Sequence, residues 1–316
     1  MRLPLASRFL RAAPAAVLTC ALGTCKGDAG TAPPTAYAYD LVVERREGTS
    51  GAPDLYVLDL GTGGERRLLA TGLGGMQPAA SLDGANIAFV RADAEFNSEI
   101  FVVDRNGANP RNVSNNAEAD VMPAWSPNGQ RLAFVTDRAG VQDIFVVNAD
   151  GTGLRRLTPT DPSPAVTFEN WPAWSPNGQL VAYSSTIDGT PDIWTIAVDA
   201  QTVTLARLTG TVDADTHPTW SPTGDRIAFE RRDATTGDAD IAILTLATGV
   251  VEVIRRPGQQ INPSWSPLGD LIAFSSNEDG GGDFEVYTMA ADDHSNVVRR
   301  TNNGLNDLRP TWLKRQ

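Results

Sequence analysis

Short apolar runs punctuate this chain at near-regular intervals. "NIAFV" begins at Asn86, "RLAFV" at Arg131, "LVAYS" at Leu180, "RIAFE" at Arg226 and "LIAFS" at Leu271. Their apolar residues fall on both faces of an extended chain, the pattern of a strand covered on both sides. After a polar loop comes a second set of runs, each opened by an acid: "DLYVLDL" at Asp54, "EIFVVDR" at Glu99, "DIFVVNA" at Asp143, "DIWTIAV" at Asp192, "DIAILTL" at Asp240 and "EVYTMAA" at Glu285. Their β-branched and aromatic content favours strand. No segment sustains a 3.6-residue apolar period, so almost no helix is expected.

A turn motif precedes each "IAF" run. "PAWSPNGQ" occurs twice, from Pro123 and from Pro172, and variants start at Pro78, Pro218 and Pro263, with a truncated copy at Pro310. The intervals are 45, 49, 46, 45 and 47 residues, the period of a four-stranded propeller blade. The proline suits the first residue of a strand, where no ladder donor is needed. The tryptophans (Trp125, Trp174, Trp220, Trp265, Trp312) are large enough to fill the space between neighbouring sheets. "SPNG" is a tight turn, with Pro presetting φ and Gly taking the conformation others resist. A short fourth strand such as "LRRLT" at Leu154 closes the unit. Residues Tyr39 to Ala70 lack a first strand, and Pro310 to Leu313 supply only a first strand. Together they make one blade. The expected fold is all-β: a six-bladed propeller of four-stranded antiparallel blades over 39–316, its ring closed by the N-terminal strands plus the C-terminal strand.

The N-terminus adds a destination. Arg2, Arg8 and Arg11 precede an apolar, Ala-rich stretch too short to span a membrane. "LGTC", ending at Cys25, resembles a bacterial lipobox. Residues 1–25 are therefore expected to be a lipoprotein-type signal peptide with lipid attachment at Cys25, and 26–38 a flexible tether. Plain secretion is the alternative. The expected location is the periplasm or the outer membrane, reached by export. Cleavage at Cys25 would move the formal charge from −12 to −15. Such acidity argues against nucleic acid and against membrane contact other than through the lipid. With at most one cysteine left, stability must come from packing. A closed ring has no need of a second copy, so a monomer is expected.

The blade order of "PAWSPNG", "IAF", "DI(Y/F)" and "DG…RLT" resembles the WD40-like repeat of the TolB propeller family, over about 39–316. The same blade occurs in prolyl-oligopeptidase-type peptidases. The resemblance implies a periplasmic binding scaffold, in TolB a partner for a peptidoglycan-associated lipoprotein. TolB carries an α/β domain ahead of its propeller, and here only a short tether precedes Tyr39. The peptidases carry a Gly-x-Ser-x-Gly elbow, and this chain has none. Propeller architecture serves many functions, so the blade type alone does not select one.

Catalytic chemistry is scarce. The two histidines, His217 and His294, do not make a triad or a zinc site. His217 stands in the slot before the proline, taken elsewhere by Gln77, Met122, Trp171, Asn262 and Arg309. His294 is expected in a solvated turn. The acids that open the third strands recur once per blade, which points to local hydrogen bonding. No enzyme and no cofactor are expected. Calcium is the exception left open, because "NEDGGGDFE" (277–285) has a calcium-loop composition without EF-hand spacing.

Residues unique to their blades are better binding candidates. The loops entering the inner strands hold Gln77, Glu118, Asp120, Glu169, Asn170, Asp213, Asp215, His217, Gln260, Asn262, Asp307 and Arg309. They predict an acidic, mostly unpaired channel mouth that binds an envelope protein or peptide, of basic character. Charge reversal at Asp120, Asp215 and Asp307 is then expected to abolish capture with little effect on melting. The alternative is a propeller enzyme or carbohydrate-binding protein that uses a metal in the channel.

Overall fold

The computed structural model describes residues 38–46, 52–92, 97–159, 167–199 and 204–316. The expected signal peptide, Cys25 and the expected tether up to residue 37 lie outside the described residues. Twenty-four strands, β1 to β24 in chain order, form six four-stranded antiparallel sheets. Among the described residues there are strands, turns and bends but no helix. The short apolar runs therefore became the strands they predicted.

The inner strands of blades II to VI are β4 (Met76–Ala80), β8 (Asp120–Trp125), β12 (Glu169–Trp174), β16 (Ala214–Trp220) and β20 (Gln260–Trp265). Blade I is composite, in the order β24-β1-β2-β3. Its inner strand β24 (Asn306–Lys314) comes from the C-terminus and its second strand β1 (Tyr39–Arg46) from the N-terminus. They pair from Tyr39↔Lys314 to Arg46↔Asn306. The ring is thus closed by a ladder of main-chain bonds inside one sheet, leaving no open sheet between blades I and VI.

The prolines sit elsewhere than the sequence suggested. Each lies inside its inner strand, at a break in register. In blade III the ladder runs Val121↔Val135 and resumes at Ala124↔Ala133, so Met122 and Pro123 together face one residue, Phe134. This is a β-bulge. The missing proline N–H costs nothing there, because the bulge leaves that position outside the ladder. The same break recurs in the other blades. The residue opposite each bulge is Val43, Phe89, Phe134, Tyr183, Phe229 or Phe274, and all six are buried. The repeated aromatic of "IAF" is therefore the packing that supports the bulge.

The tryptophans do more than fill space. Indole Nε1 of Trp125, Trp174, Trp220 and Trp312 donates to the backbone carbonyl of Ala79, Ala124, Ala173 and Ser264 respectively, each in the preceding blade, at 3.0–3.2 Å. One side chain thus supplies apolar burial and a directional bond across each of these joints. Trp265 is the exception, its Nε1 reaching Gly269 of its own blade at 3.4 Å. Blade II has Ala80 in this position. There the C-terminal strand fills the joint: a Cβ on Gly84, which has φ +71°, would lie 2.7 Å from the Lys314 carbonyl. Only glycine fits that approach without strain.

Truncating Trp174 removes both the burial and the bond to blade III. Trp174→Ala is expected to cost about 3–5 kcal/mol with no change of fold, checked by urea unfolding and far-UV circular dichroism.

Candidate functional site

The bulges build the channel. The six residues before the prolines, Gln77, Met122, Trp171, His217, Asn262 and Arg309, all have φ between 51° and 57°. Left-handed φ is uncommon for non-glycine residues. Here the pleat break turns one side chain per blade into the axis, and the six form a ring around a cavity of about 200 Å³. A wider cavity of about 510 Å³ shares Thr219, Ser264 and Thr311 with it, and continues past the tryptophans to the "SPNG" turns. The channel therefore opens as a funnel on the turn face.

A stack of side chains crosses the ring. Trp171 of blade IV packs on His217 of blade V, centroids 3.7 Å apart and planes at 29°. The Arg309 guanidinium, from blade I on the opposite side, lies 5.3 Å from the Trp171 centroid, a cation–π distance. Two buried glutamates hold the ring from behind. Glu44 accepts from the Gln77 N–H at 2.8 Å and from Arg309 Nη1 at 3.0 Å. Glu230 accepts from Arg232 at 3.0 Å and from the Asn262 N–H at 3.4 Å. Gln77 Oε1 in turn accepts from the Met122 N–H at 2.8 Å. Burial pushes the Glu230 carboxyl up. Burial, with Arg309 and Arg232 nearby, pushes the His217 imidazole well below its ordinary 6.5. His217 is therefore neutral at pH 7.

Of the acids of the predicted mouth, Asp120, Glu169, Asp215 and Asp307 stand three residues before the prolines and Glu118 and Asp213 five, and none of them lines either cavity. The expectation that they are unpaired is corrected. Asp120, Asp215 and Asp307 are wholly buried. Arg138 Nη2 donates to both Asp120 oxygens at 2.8 and 2.9 Å. Arg231 grips Asp215 with Nε and Nη2 at 2.8 and 2.7 Å, and Arg45 grips Asp307 likewise at 2.6 and 3.0 Å. The Arg231 and Arg45 pairs are fork-to-fork, and all three fix geometry and cancel charge. Glu169 is also buried and accepts from the Ser185 hydroxyl. Gln260 is buried and donates to the Pro257 carbonyl. Asn170 is half-buried. Glu118 is exposed, and Asp213 is half-buried, accepting from the Ala234 N–H at 3.1 Å. The structure thus brings Gln77, His217, Asn262 and Arg309 together in the ring, with Met122 and Trp171, which charge-based selection passed over.

Other sequence readings can be placed. Of the third-strand acids, Asp54, Asp143, Asp192 and Glu285 pair with an arginine from the fourth strand of their own blade. Glu99 accepts from the Asn116 N–H and the Ser114 hydroxyl. These contacts are local, as one recurring acid per blade suggested. In the glycine-rich loop, Glu278 pairs with Arg256 and Asp279 with Arg299. His294 is half-buried rather than solvated, its Nδ1 3.4 Å from Glu252. Among the described residues no group of three or more His, Cys, Asp or Glu side chains is arranged to hold a metal.

Bulged inner strands, indole joints and a composite closing blade define a six-bladed β-propeller with its channel crossed by side chains. The blades resemble those of TolB. Residues 47–169 match the family model of the TolB beta propeller domain. The chain is similar to the Tol-Pal system protein TolB of Thioalkalivibrio sulfidiphilus, 30% identical over 83 residues, which are 26% of this chain and 19% of that protein. It is similar to the protein TolB homolog of Chlorobium luteolum, 28% identical over 108 residues, 34% of this chain and 24% of that one. Among solved structures, TolB from Acinetobacter baumannii superposes with a TM-score of 0.72 at 20% identity, over 87% of this chain and 66% of that one. The chain is a TolB-like propeller whose matched stretches span about a fifth to a quarter of the curated relatives.

Two expectations follow from the electrostatics. His217 stays neutral in the folded protein while the unfolded chain protonates near pH 6.5, so stability falls as pH drops below that value. The loss is expected to reach up to about 1.4 kcal/mol per pH unit. Urea unfolding from pH 7.5 to 5 should show this loss relative to His217→Gln, which lacks the titrating ring. Asp215→Asn leaves the Arg231 charge buried without its partner and is expected to cost about 3–5 kcal/mol, seen as a lowered melting temperature. Charge reversal at Asp120, Asp215 or Asp307 would likewise act on folding first.

Proposed function

We propose that this chain is an exported, lipid-anchored propeller, attached through Cys25, that serves as a protein-binding scaffold in the bacterial cell envelope. Its TolB-type blades, and relatives named for the Tol-Pal system, support an envelope partner. We infer that it works by binding: His217 is stacked on Trp171 in the ring, where Nδ1 meets Thr216 and Glu230, and His294 lies in a turn.

The partner docks on the face where the inner strands begin. The observation that carries this reading is the contrast among the acids of that face. Asp120, Asp215 and Asp307 are consumed by arginines, whereas Glu118 is exposed and neither Glu118 nor Asp213 has a salt bridge among the described residues. These carboxylates keep their charge uncancelled by a salt bridge, and a basic segment of the partner would meet them. Glu118 is exposed, and Asp213 is half-buried and accepts from the Ala234 N–H, so changing the two removes that one loop bond.

The double variant Glu118→Lys with Asp213→Lys should lose a partner that the wild-type chain retains from envelope extract, with melting changed by no more than a degree or two. Retention of the same partner by both would move the docking site off this face. A variant that melts much lower would show that the two acids serve the fold.

A further inference from the structure

The ring holds polar atoms that the fold does not use. Among the described residues, Nε2 of His217, Oδ1 of Asn262 and Nε of Arg309 are buried without a hydrogen-bond partner. Asn262 is only 7% exposed. Leaving such groups unpaired costs about 1–3 kcal/mol each, so three around one cavity mark a place where water or a ligand bonds. All three residues line the 200 Å³ cavity.

The chemistry of that ligand can be read from the donors. Arg309 is the one charged side chain among those lining the ring cavity and the funnel. Its Nη1 is committed to Glu44, which leaves the Nε side of the guanidinium unused. The Nε–Nη2 edge is the edge that grips Asp215 and Asp307 from Arg231 and Arg45 in this same protein. A planar carboxylate matches it with two parallel bonds. Asn262 can present its amide nitrogen by a flip of the group, and neutral His217 can carry its proton on Nε2, with Nδ1 accepting from the Thr216 hydroxyl 3.0 Å away. Burial depresses His217 first, with Arg309 and Arg232 adding to it, and Glu230 lies 3.5 Å from Nδ1 behind the ring; the charged group that faces the cavity is the Arg309 guanidinium.

We propose that the ring is a carboxylate-binding site, entered through the funnel on the turn face, in which the free edge of Arg309 grips the carboxylate and Asn262 and His217 Nε2 complete its hydrogen bonds. The cavity admits a single narrow group rather than a folded surface. This site is independent of the docking face above: it is opposite in sign and opens at the other end of the channel.

The test uses the whole chain with labelled histidine. It contains two histidines, so the His217 ring signals can be followed by NMR against His294 as an internal control. Four probes are titrated against chloride at matched ionic strength: propionate, N-acetyl-diglycine, the C-terminal amide of that peptide, and inorganic phosphate. The expected result is a saturable shift of His217, with His294 unmoved, for one or both carboxylates and not for the amide. Propionate alone would identify a free small acid, and tighter binding of N-acetyl-diglycine a peptide terminus. Arg309→Gln should weaken binding roughly tenfold or more. Arg309→Lys, which keeps the charge but loses the edge, should weaken it as well. The proposal is overturned if neither carboxylate gives a saturable shift, if phosphate alone does, if the amide binds equally, or if Arg309→Gln binds as tightly as wild type. Should the variants fail to fold, the wild-type carboxylate and amide titrations decide.

Discussion

The break in register at each X-Pro step is the constraint on which the rest of this structure depends. Two inner-strand residues stand against one buried residue of the second strand, an aromatic in five blades. The bulge bends the strand and rotates the residue before proline toward the axis. Without it that side chain would follow the pleat into an inter-blade core, and the channel would lose its lining. Six residues held at positive φ represent stored strain. The opposing aromatics and the indole bonds between blades hold them there.

Once the bulges set the ring, electrostatics arranges the residues behind it. Blades I and V carry the same Glu-Arg-Arg run, Glu44 to Arg46 and Glu230 to Arg232. In each, the middle arginine neutralises an inner-strand aspartate and the glutamate binds the last arginine of its own run. The glutamate also accepts a ring-residue N–H from the next blade. Buried charge of this kind adds little net stability, yet removing one partner is costly. These networks therefore hold the geometry of the ring more than they strengthen the fold.

Much of this was legible in the sequence. Intervals of 45 to 49 residues, strand-like runs and split termini specified the number of blades and the way the ring closes. The variable slot before each proline was visible as well. The proline itself was misplaced, because its lack of an N–H suits a bulge as well as a strand start. The mouth acids were misjudged for a different reason. Arg45 is 262 residues from Asp307, and Arg138 and Arg231, though only 18 and 16 residues from Asp120 and Asp215, meet them through strand pairing that the local sequence does not display. Aligned three residues before the prolines, Asp120, Glu169, Asp215 and Asp307 recur, and recurrence already suggested a structural role for the third-strand acids. Met122 and Trp171 escaped selection because charge was weighed above position.

The pairing of Tyr39 with Lys314 has a directional meaning. It places the start of β1 at the end of the molecule where the funnel opens, and Arg315 N–H donates to the Ala38 carbonyl there. The first and last strands of the propeller therefore meet at the funnel end, and the rim carrying Glu118 and Asp213 lies at the end away from both.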